Sequence, residues 1–207
     1  MIRWIKKETK LFIIAGNVAR SSAAKHLWEA GADVVKAGVG GGSLCSTRIK
    51  TGNGVPMIST LIDIHNAKQE MISSGYKGNL YFISDGGSRS AGDLVKSFCF
   101  ADMVMAGSIF AGLSECPGNT FEIDGILHKE YAGSSTHKSN YIEGVKGLVP
   151  CKGKYIDILT EMLEGVRSGM SYQGAHNLTT LKNCPEFIRI THAGIIESHP
   201  HDIKVIK

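Results

Sequence analysis

Four short apolar segments alternate with amphipathic segments along the 207-residue chain. The apolar segments are rich in Ile, Val, Phe or Met and lead into glycine, as buried parallel strands often do; they cover residues 12–15, 33–37, 80–84 and 103–106. The amphipathic segments predict helices over residues 22–30, 59–74, 91–101 and 155–166, and the second places Leu61, Ile64 and Ile72 at helical spacing. Strand and helix in regular alternation predict βαβ units and a parallel sheet.

Two connections in this pattern are much longer than the others. Residues 38–56 follow the second apolar segment, and residues 107–153 follow the fourth and contain eight glycines. We predict loops in both places, because long loops after the strands of an α/β barrel carry its chemistry. Residues 187–207 read as a short strand and then an extended tail. The chain is therefore predicted to be one domain over residues 1–207, short for a full barrel of about 250 residues.

Composition excludes several classes of protein. The chain is 43% hydrophobic and 20% charged with a net charge of +4, and its densest basic cluster (Arg3, Lys6, Lys7, Lys10) has no aromatic interleaving, so no nucleic-acid surface is expected. No apolar run approaches the roughly 18 residues of a membrane span. The basic, apolar start resembles a signal peptide until Gly16 and Asn17 interrupt it. Five widely spaced cysteines without a C-x-x-C pair favour a reducing cytoplasm over a disulfide framework or zinc ribbon.

The glycine-rich loop GVGGGSLCSTR (38–48) contains the first candidate for chemistry. Its glycines allow backbone N–H groups to approach a ligand closely, and Cys45 follows them, between hydroxyl residues and close to Arg48. Such a cysteine can act as a nucleophile. It can equally be a small buried filler, the usual role of a free cysteine. Composition alone favours the filler, and the position after a predicted strand makes the two interpretations equal.

Two further strand ends carry glycine with polar side chains. Asp85 precedes Gly86 and Gly87, and Gly107 precedes Ser108 at the end of the next apolar segment. The loops after the last two strands of an α/β barrel commonly bind phosphate, and a neighbouring carboxylate suits the two hydroxyls of a ribose. The alternative is that these glycines only turn the chain. His199 and His201 could bind a metal, but two histidines without a third ligand are more often surface residues.

Taken in order, the motifs resemble those of the IMP dehydrogenase/GMP reductase family over nearly the whole chain. They are IAGNVA (14–19), AGADVVKAGVGGGSLCSTR (30–48), TGNGVP (51–56), ISDGGSRSAGD (83–93), VMAGSIFAG (104–112), EGVKGLVPCKG (143–153), EGVRSGMSYQGA (164–175) and FIRITHAGIIESHPHDI (187–203). The resemblance implies an α/β fold, a TIM (β/α)8 barrel of which this chain supplies strands five to eight. It also implies an oxidoreductase that acts at C2 of a purine nucleoside monophosphate (IMP, GMP or XMP) with NAD or NADP.

By this resemblance, Cys45 attacks the purine C2 and forms a covalent thioimidate, while Thr47 and Glu143 complete the catalytic set. The substrate-binding set would be Ser43, Asp85, Gly86, Gly87, Gly107, Ser108 and Tyr131, with Asp85 on the ribose. Asn17, Gly38 and Gly40 would contact the cofactor. Carbonyls of Gly38, Gly40 and Cys45 would bind potassium together with Glu197, Ser198 and His199 from the tail of a neighbouring subunit.

The chain also departs from the family pattern. It opens in what should be the helix before strand five, so a homo-oligomer or a complementing N-terminal half is expected. Only seven residues separate Ser135 from Glu143, without the Arg-Tyr pair that activates water in IMP dehydrogenases, and Gly41 stands where proline is usual. The tail favours IMP dehydrogenase, whereas the missing pair favours GMP reductase. We favour an IMP dehydrogenase-like activity that converts IMP to XMP. The alternatives are GMP reductase activity, from GMP to IMP and ammonia, and a non-catalytic purine-monophosphate-binding fragment or one half of a split enzyme.

Overall fold

A computed structural model describes residues 1–133, 144–183 and 185–203. The described elements, in chain order, are α1 (Ile2–Glu8), β1 (Ile14–Val18), α2 (Ser21–Glu29), β2 (Val34–Ala37), α3 (Thr47–Thr51), α4 (Met57–Ser73), β3 (Tyr81–Asp85), α5 (Ala91–Phe98), β4 (Met103–Met105), β5 (Thr120–Ile123), β6 (Ile126–Ala132), β7 (Lys146–Pro150), α6 (Tyr155–Tyr172), α7 (Leu178–Asn183) and α8 (His192–Glu197). None of the helices described is long and apolar enough to cross a membrane.

The first four strands form a parallel sheet in the order β1-β2-β3-β4. Ile14 pairs with Val34, Val34 with Tyr81, and Ile83 with Met103, so each strand lies beside the next one in the sequence. Parallel neighbours need a crossover, and helices supply it here. The α/β fold with a parallel sheet is therefore confirmed, and the strands begin within two residues of the prediction.

The main hydrophobic core lies between this sheet and its helices. Val35 and Ala37 of β2 and Phe82 of β3 face the helices, where they pack with Trp28 of α2 and Leu61 of α4. Trp28 is fully buried, and its indole N–H donates to the carbonyl of Tyr81 at 3.2 Å. Full burial of each large apolar side chain contributes about 1.5–3 kcal/mol. This packing therefore stabilises the face of the sheet that is covered by helices. The other side chains along each strand point to the opposite face.

Those alternate side chains form an exposed apolar face. Ile14, Tyr81, Met103 and Met105 are each 43–54% exposed, although they lie on the strands of a parallel sheet. Parallel sheets are normally covered on both faces. Among the described residues β1 and β4 also have a strand neighbour on one side only. The sheet thus has two open edges and one face on which these apolar side chains stay exposed in the described part of the chain, while Val34 and Ile83 on the same face are buried.

A three-stranded antiparallel sheet replaces part of the predicted loop 107–153. It has the order β5-β6-β7, and Asp124 and Gly125 form the tight turn between the first two strands with φ of 52° and 75°. Positive φ at both positions is typical of a type I′ hairpin turn. The prediction of loop structure was wrong. A strand as short as β5 shows too little alternation of apolar and polar residues to be recognised in a segment with many glycines.

The sequence prediction was also wrong at two other places. Residues 187–191 do not form a strand, and α8 follows them, with Thr191 Oγ1 accepting from the N–H of Gly194. On α4, Ile72 is 50% exposed, whereas Met71 is 8% exposed and completes the buried face. Met71 lies seven residues after Ile64, which is about two turns of 3.6 residues, whereas the eight residues from Ile64 to Ile72 exceed two turns. Residues 204–207 lie outside the described part.

A partly buried aspartate anchors the start of β4 to its neighbours. Asp102 accepts hydrogen bonds from the N–H of Phe82 at 2.9 Å and from the ammonium groups of Lys68 and Lys182 at 3.0 and 2.5 Å. Burial raises the pKa of its carboxyl, but the hydrogen bonds from Lys182 and Phe82 and the charge of Lys68 outweigh burial and hold this pKa below 3.8. Because the pKa is lowered by folding, this carboxylate stabilises the fold above its unfolded pKa.

We expect Asp102→Asn to lower the free energy of unfolding by about 3 kcal/mol at neutral pH, because two ammonium groups lose their partner. The difference from the wild type should shrink as the pH falls below 3.8, where the wild-type carboxylate is protonated in the unfolded chain and then in the folded one. Urea titrations measure the difference in the free energy of unfolding between variant and wild type at neutral pH and at about pH 3. Asp157→Asn, at an exposed position of α6, is the matched control. A difference that is constant with pH would contradict this account.

Candidate active site

Three loops meet at the carboxyl edge of the parallel sheet and enclose two adjoining cavities. A cavity of 240 Å³ is lined by Gly86, Gly87, Gly107, Ser108 and neighbouring residues. A second cavity of 440 Å³ contains Cys45 and Thr47. The two share four lining residues, namely Gly42, Ser43, Asp85 and Tyr131. They therefore form one continuous cleft with a glycine-rich end and a thiol end.

Close backbone packing between the loops after β2 and β3 shapes this cleft. Gly38 has a φ of 136°, and a Cβ there would lie 2.3 Å from the carbonyl oxygen of Asp85 and 2.7 Å from Met57 Cε. Gly86 has a φ of 100°, and a Cβ there would lie 3.1 Å from the backbone of Gly41 and Gly42. Glycine at both places allows the loops to touch. The glycine pattern thus does more than turn the chain.

We expect Gly38→Ala to lower the free energy of unfolding by about 3 kcal/mol or more, because it adds a backbone clash to a strained φ. Gly52→Ala is the matched control, since Gly52 has a φ of +72° but no atom within 4 Å of the added Cβ. That control carries only the backbone strain of about 1–2 kcal/mol. Chemical denaturation followed by circular dichroism compares them. Equal losses for the two variants would contradict close contact at Gly38.

Cys45 lies exposed at the thiol end of the cleft, immediately before α3. Its thiol donates to Thr47 Oγ1 at 3.1 Å, and its N–H donates to the carbonyl of Gly42 at 3.0 Å. Arg48 donates to the carbonyls of Val39 and Val55, at 3.3 and 2.7 Å, so its guanidinium holds the loop itself. The exposed position does not fit a buried filler, and it makes the thiol accessible to a ligand.

The segment that precedes β7 closes over the cysteine loop. Gly144 N–H donates to Ser46 Oγ at 2.7 Å, and Val145 N–H donates to the carbonyl of Leu44 at 2.9 Å. These two bonds connect the antiparallel sheet to the residues on either side of Cys45. Glu143, predicted to be catalytic, lies outside the described residues.

Asp85 lies between the two cavities and is held from both sides. Asn17 Nδ2 donates to its Oδ2 at 2.8 Å and also to the carbonyl of Gly38 at 2.9 Å. Lys36 Nζ forms an ion pair with the same Oδ2 at 2.8 Å. Both described contacts use Oδ2, so Oδ1 retains lone pairs for a ligand hydroxyl. The sequence prediction missed Lys36, although a lysine inside the apolar segment VVKA signals a partnered charge.

The glycine-rich end of the cleft suits an anion. Ser108 is half-buried, and its hydroxyl donates to the carbonyl of Ser88 at 3.4 Å. The hydroxyl of Tyr131 lies close to Gly107, 2.7 Å from the position of a Cβ there. Burial raises the pKa of the Tyr131 phenol, so the hydroxyl stays protonated and can donate. Ser43 adds a further hydroxyl, at the junction with the thiol cavity.

The residues predicted to bind a cofactor or potassium are only partly assembled. Gly38 is buried under Asp85, and Asn17 holds Asp85 and Gly38. Glu197 ends α8, Ser198 Oγ donates to Gly194, and a ring nitrogen of His199 contacts the carbonyl of Ile195. These described contacts do not connect the tail to Gly40 or Cys45. The described residues also contain no group of three or more His, Cys, Asp or Glu suited to a metal.

Comparison with known proteins agrees with this geometry. An inosine-5'-monophosphate dehydrogenase from Aquifex aeolicus is 40% identical over 94% of this chain, and one from Borreliella burgdorferi is 39% identical over 98%. A solved GMP reductase variant from Trypanosoma brucei, in complex with guanosine 5'-monophosphate, superposes with a TM-score of 0.89 at 35% identity over 98% of this chain. The chain spans 42%, 54% and 44% of these three proteins, about half of each.

The match extends to the family as a whole. Residues 1–201 match the IMP dehydrogenase / GMP reductase domain, which is more than half of the chain. The motifs over residues 30–48, 83–93 and 104–112 contain the loops that build the cleft. The chain therefore belongs to the IMP dehydrogenase/GMP reductase family.

Proposed function

We propose that this chain binds a purine nucleoside monophosphate and takes part in oxidoreduction at purine C2, as an IMP dehydrogenase-like enzyme that converts IMP to XMP. The observation that carries this proposal is the continuous cleft, in which an accessible thiol and a glycine-rich anion cavity lie on either side of a carboxylate. A nucleotide has the same order of parts: base, ribose and phosphate. The GMP reductase relative that was solved with guanosine 5'-monophosphate supports this choice of ligand.

In this proposal the phosphate occupies the 240 Å³ cavity. Its oxygens accept hydrogen bonds from Ser43, Ser108 and Tyr131 and from the backbone N–H groups of Gly87 and Gly107. Gly86 lines the cavity, and its N–H donates to the carbonyl of Met105 at 3.4 Å. Charge-assisted hydrogen bonds of this kind are roughly twice as strong as neutral ones. Asp85 accepts the ribose hydroxyls, and the base then lies in the 440 Å³ cavity next to Cys45.

The proposed reaction begins when Cys45 Sγ adds to C2 of IMP. Loss of a hydride from C2 leaves the purine bound to sulfur as a thioimidate, and water then releases XMP and restores the thiol. Thr47, 3.1 Å from Cys45 Sγ, is positioned to contact the water and steer it to C2. Glu143 completes the set as the acid or base, on the family resemblance alone.

A nicotinamide cofactor, NAD or NADP, would accept the hydride when it is bound. The family resemblance assigns its contacts to Asn17, Gly38 and Gly40. None of these three residues lines the 440 Å³ cavity, and Gly38 is packed against Asp85 and Met57. The chain's residues orient the purine C2 toward the cofactor.

Potassium fits the carbonyl oxygens of Gly38, Gly40 and Cys45, which are hard ligands on one loop. The carbonyl of Gly38 already accepts one hydrogen bond from Asn17, which leaves its second lone pair. Glu197, Ser198 and His199 would join the site from a neighbouring subunit. A homo-oligomer is therefore part of this proposal.

The finer description of the fold belongs to the proposal as well. Residues 1–207 would be a single domain, and its parallel sheet would supply strands five to eight of a (β/α)8 barrel. The apolar face of Ile14, Tyr81, Met103 and Met105 supports this, because the inside of such a barrel is packed. Four further strands, from an N-terminal half or another copy, would cover this face.

Thermal unfolding of the purified chain in the presence of IMP, GMP and AMP tests the proposal. We expect IMP and GMP to raise the unfolding midpoint in a concentration-dependent way, because ligands that bind only the native state stabilise it. AMP should raise it less, because its base carries a 6-amino group in place of the 6-oxo group. AMP is the matched control, since it shares the phosphate and the ribose. The absence of stabilisation by IMP and GMP would contradict purine-monophosphate binding.

GMP reductase activity is the second candidate, and the high structural similarity to a GMP reductase favours it. In that reaction Cys45 Sγ adds to C2 of GMP, ammonia leaves, and a hydride delivered to C2 releases IMP and the thiol. Assays with IMP and oxidised cofactor, and separately with GMP and reduced cofactor, distinguish the two directions. Nucleotide binding without hydride transfer in either direction would instead favour a binding fragment or one half of a split enzyme.

A further inference from the structure

Two lysines hold the loop that follows β4: Lys129 of β6 and Lys152, two residues after the end of β7. Lys129 Nζ donates to the carbonyls of Leu113, Ser114 and Cys116 at 2.8, 3.1 and 2.5 Å. Lys152 Nζ donates to the carbonyls of Ser108 and Ile109 at 2.5 and 3.2 Å. Lys129 is buried and its three carbonyls lie beyond the cavity, so it holds the structure of the loop. Lys152 is exposed, and it contacts a residue that lines the anion cavity.

The turn that Lys152 contacts needs an outside partner. The N–H groups of Phe110 and Ala111 both donate to the carbonyl of Gly107, which closes one turn. The turn does not continue as a helix, because Gly112 has a φ of 84°. Gly112 also packs closely against Pro150: a Cβ at Gly112 would lie 2.4 Å from the carbonyl oxygen of Pro150. The carbonyls of the last turn of a helix have no N–H group of a following turn to accept from. The ammonium of Lys152 satisfies the carbonyls of Ser108 and Ile109.

The backbone of Lys152 is fixed to the same turn. Its N–H donates to the carbonyl of Gly112 at 2.9 Å, and the carbonyl of Gly153 accepts from Ser114 N–H at 2.8 Å. The side chain therefore starts from an anchored position and reaches back along the turn to Ser108. A positive charge beside a residue of the cavity also favours an anion there.

We propose that Lys152 is a positioning residue of the phosphate-binding end of the cleft. Its ammonium keeps Gly107 and Ser108 in the conformation that lines the cavity. This inference rests on the proposed function, since it takes the phosphate of a nucleoside monophosphate as the occupant. The contact between Lys152, which follows β7, and the turn after β4 would then affect the affinity for the nucleotide.

The test compares the affinity for IMP with the affinity for inosine, which lacks the phosphate. We expect Lys152→Met to weaken IMP binding by about tenfold or more and inosine binding by less than about twofold, because hydrogen bonds to charged groups are lost only around the phosphate. Lys152→Arg keeps the charge and the donors and should recover most of the IMP affinity. Lys154→Met, which removes an exposed lysine two positions away, is the matched control. Isothermal titration calorimetry on the full chain measures all of these affinities.

The outcomes separate this inference from the proposed function. A wild-type chain that binds neither IMP nor GMP refutes the proposed function and the inference with it. A wild-type chain that binds IMP, together with an unchanged Lys152→Met variant, refutes the inference alone. Equal weakening of IMP and inosine also overturns it, because it indicates general loss of structure. If Lys154→Met weakened IMP binding to the same degree, the loss of one positive charge would explain the effect, and the inference would be overturned.

Discussion

Replacing Cys45 with alanine is expected to abolish the proposed hydride transfer at purine C2, with a fall in turnover of about 10⁴-fold or more, because the variant lacks the proposed nucleophile. Binding of IMP should persist within about threefold, because the proposed phosphate and ribose contacts come from other residues. Cys45 is exposed in the cleft, and alanine fits the space of the thiol, so the fold should be retained. Steady-state assays with both substrate and cofactor pairs measure the turnover.

A chemical readout makes the same prediction testable without turnover. An IMP analogue that carries chlorine at C2 should react with the thiol of Cys45, forming the C–S bond and releasing chloride and a proton. Intact-mass spectrometry should detect one added nucleotide in the wild type and in Cys151→Ala, and none in Cys45→Ala. Cys151 is the matched control because it is free and exposed but does not line the cleft. Labelling of Cys45→Ala, or turnover by it, would reject the mechanism.

Replacing Asp85 with asparagine is expected to weaken the binding of IMP by about 30- to 100-fold, because hydrogen bonds to a charged acceptor contribute about 1.5–3 kcal/mol each. The variant keeps the size of the side chain but leaves Lys36 without its anionic partner and gives Asn17 a weaker acceptor. The position of the side chain between the two cavities implies that the ribose is affected first.

The specificity of the ribose contact supplies the sharper measurement. The wild type should bind IMP more tightly than its 2′-deoxy analogue, and Asp85→Asn should bind both about equally, because the acceptor of the hydroxyl is weakened. Asp157→Asn removes a carboxylate from exposed α6 and should leave both affinities unchanged. If Asp85→Asn still discriminated against the deoxynucleotide as the wild type does, the ribose would contact another residue.

The sequence by itself determined the alternation of strands and helices and the candidate residues at the ends of the strands. Apolar segments followed by glycine predicted β2, β3 and β4 within one residue at their starts, because buried strands must be apolar and their ends must turn. Cys45, Asp85 and Gly107 follow such strands, and parallel strands bring their carboxyl ends to one edge. The position of these residues in one cleft was therefore predictable from the pattern alone.

Tertiary structure alone decided which side chains hold that cleft in place. Lys36, Asn17 and Asp85 are far apart in the sequence and meet only because β1, β2 and β3 lie side by side in register. Lys152 reaches Ser108 across 44 positions only because β7 returns the chain to the turn after β4. Local patterns report burial and turns, whereas such contacts depend on how distant elements pack. The antiparallel sheet and the exposed face of the parallel sheet were decided in the same way.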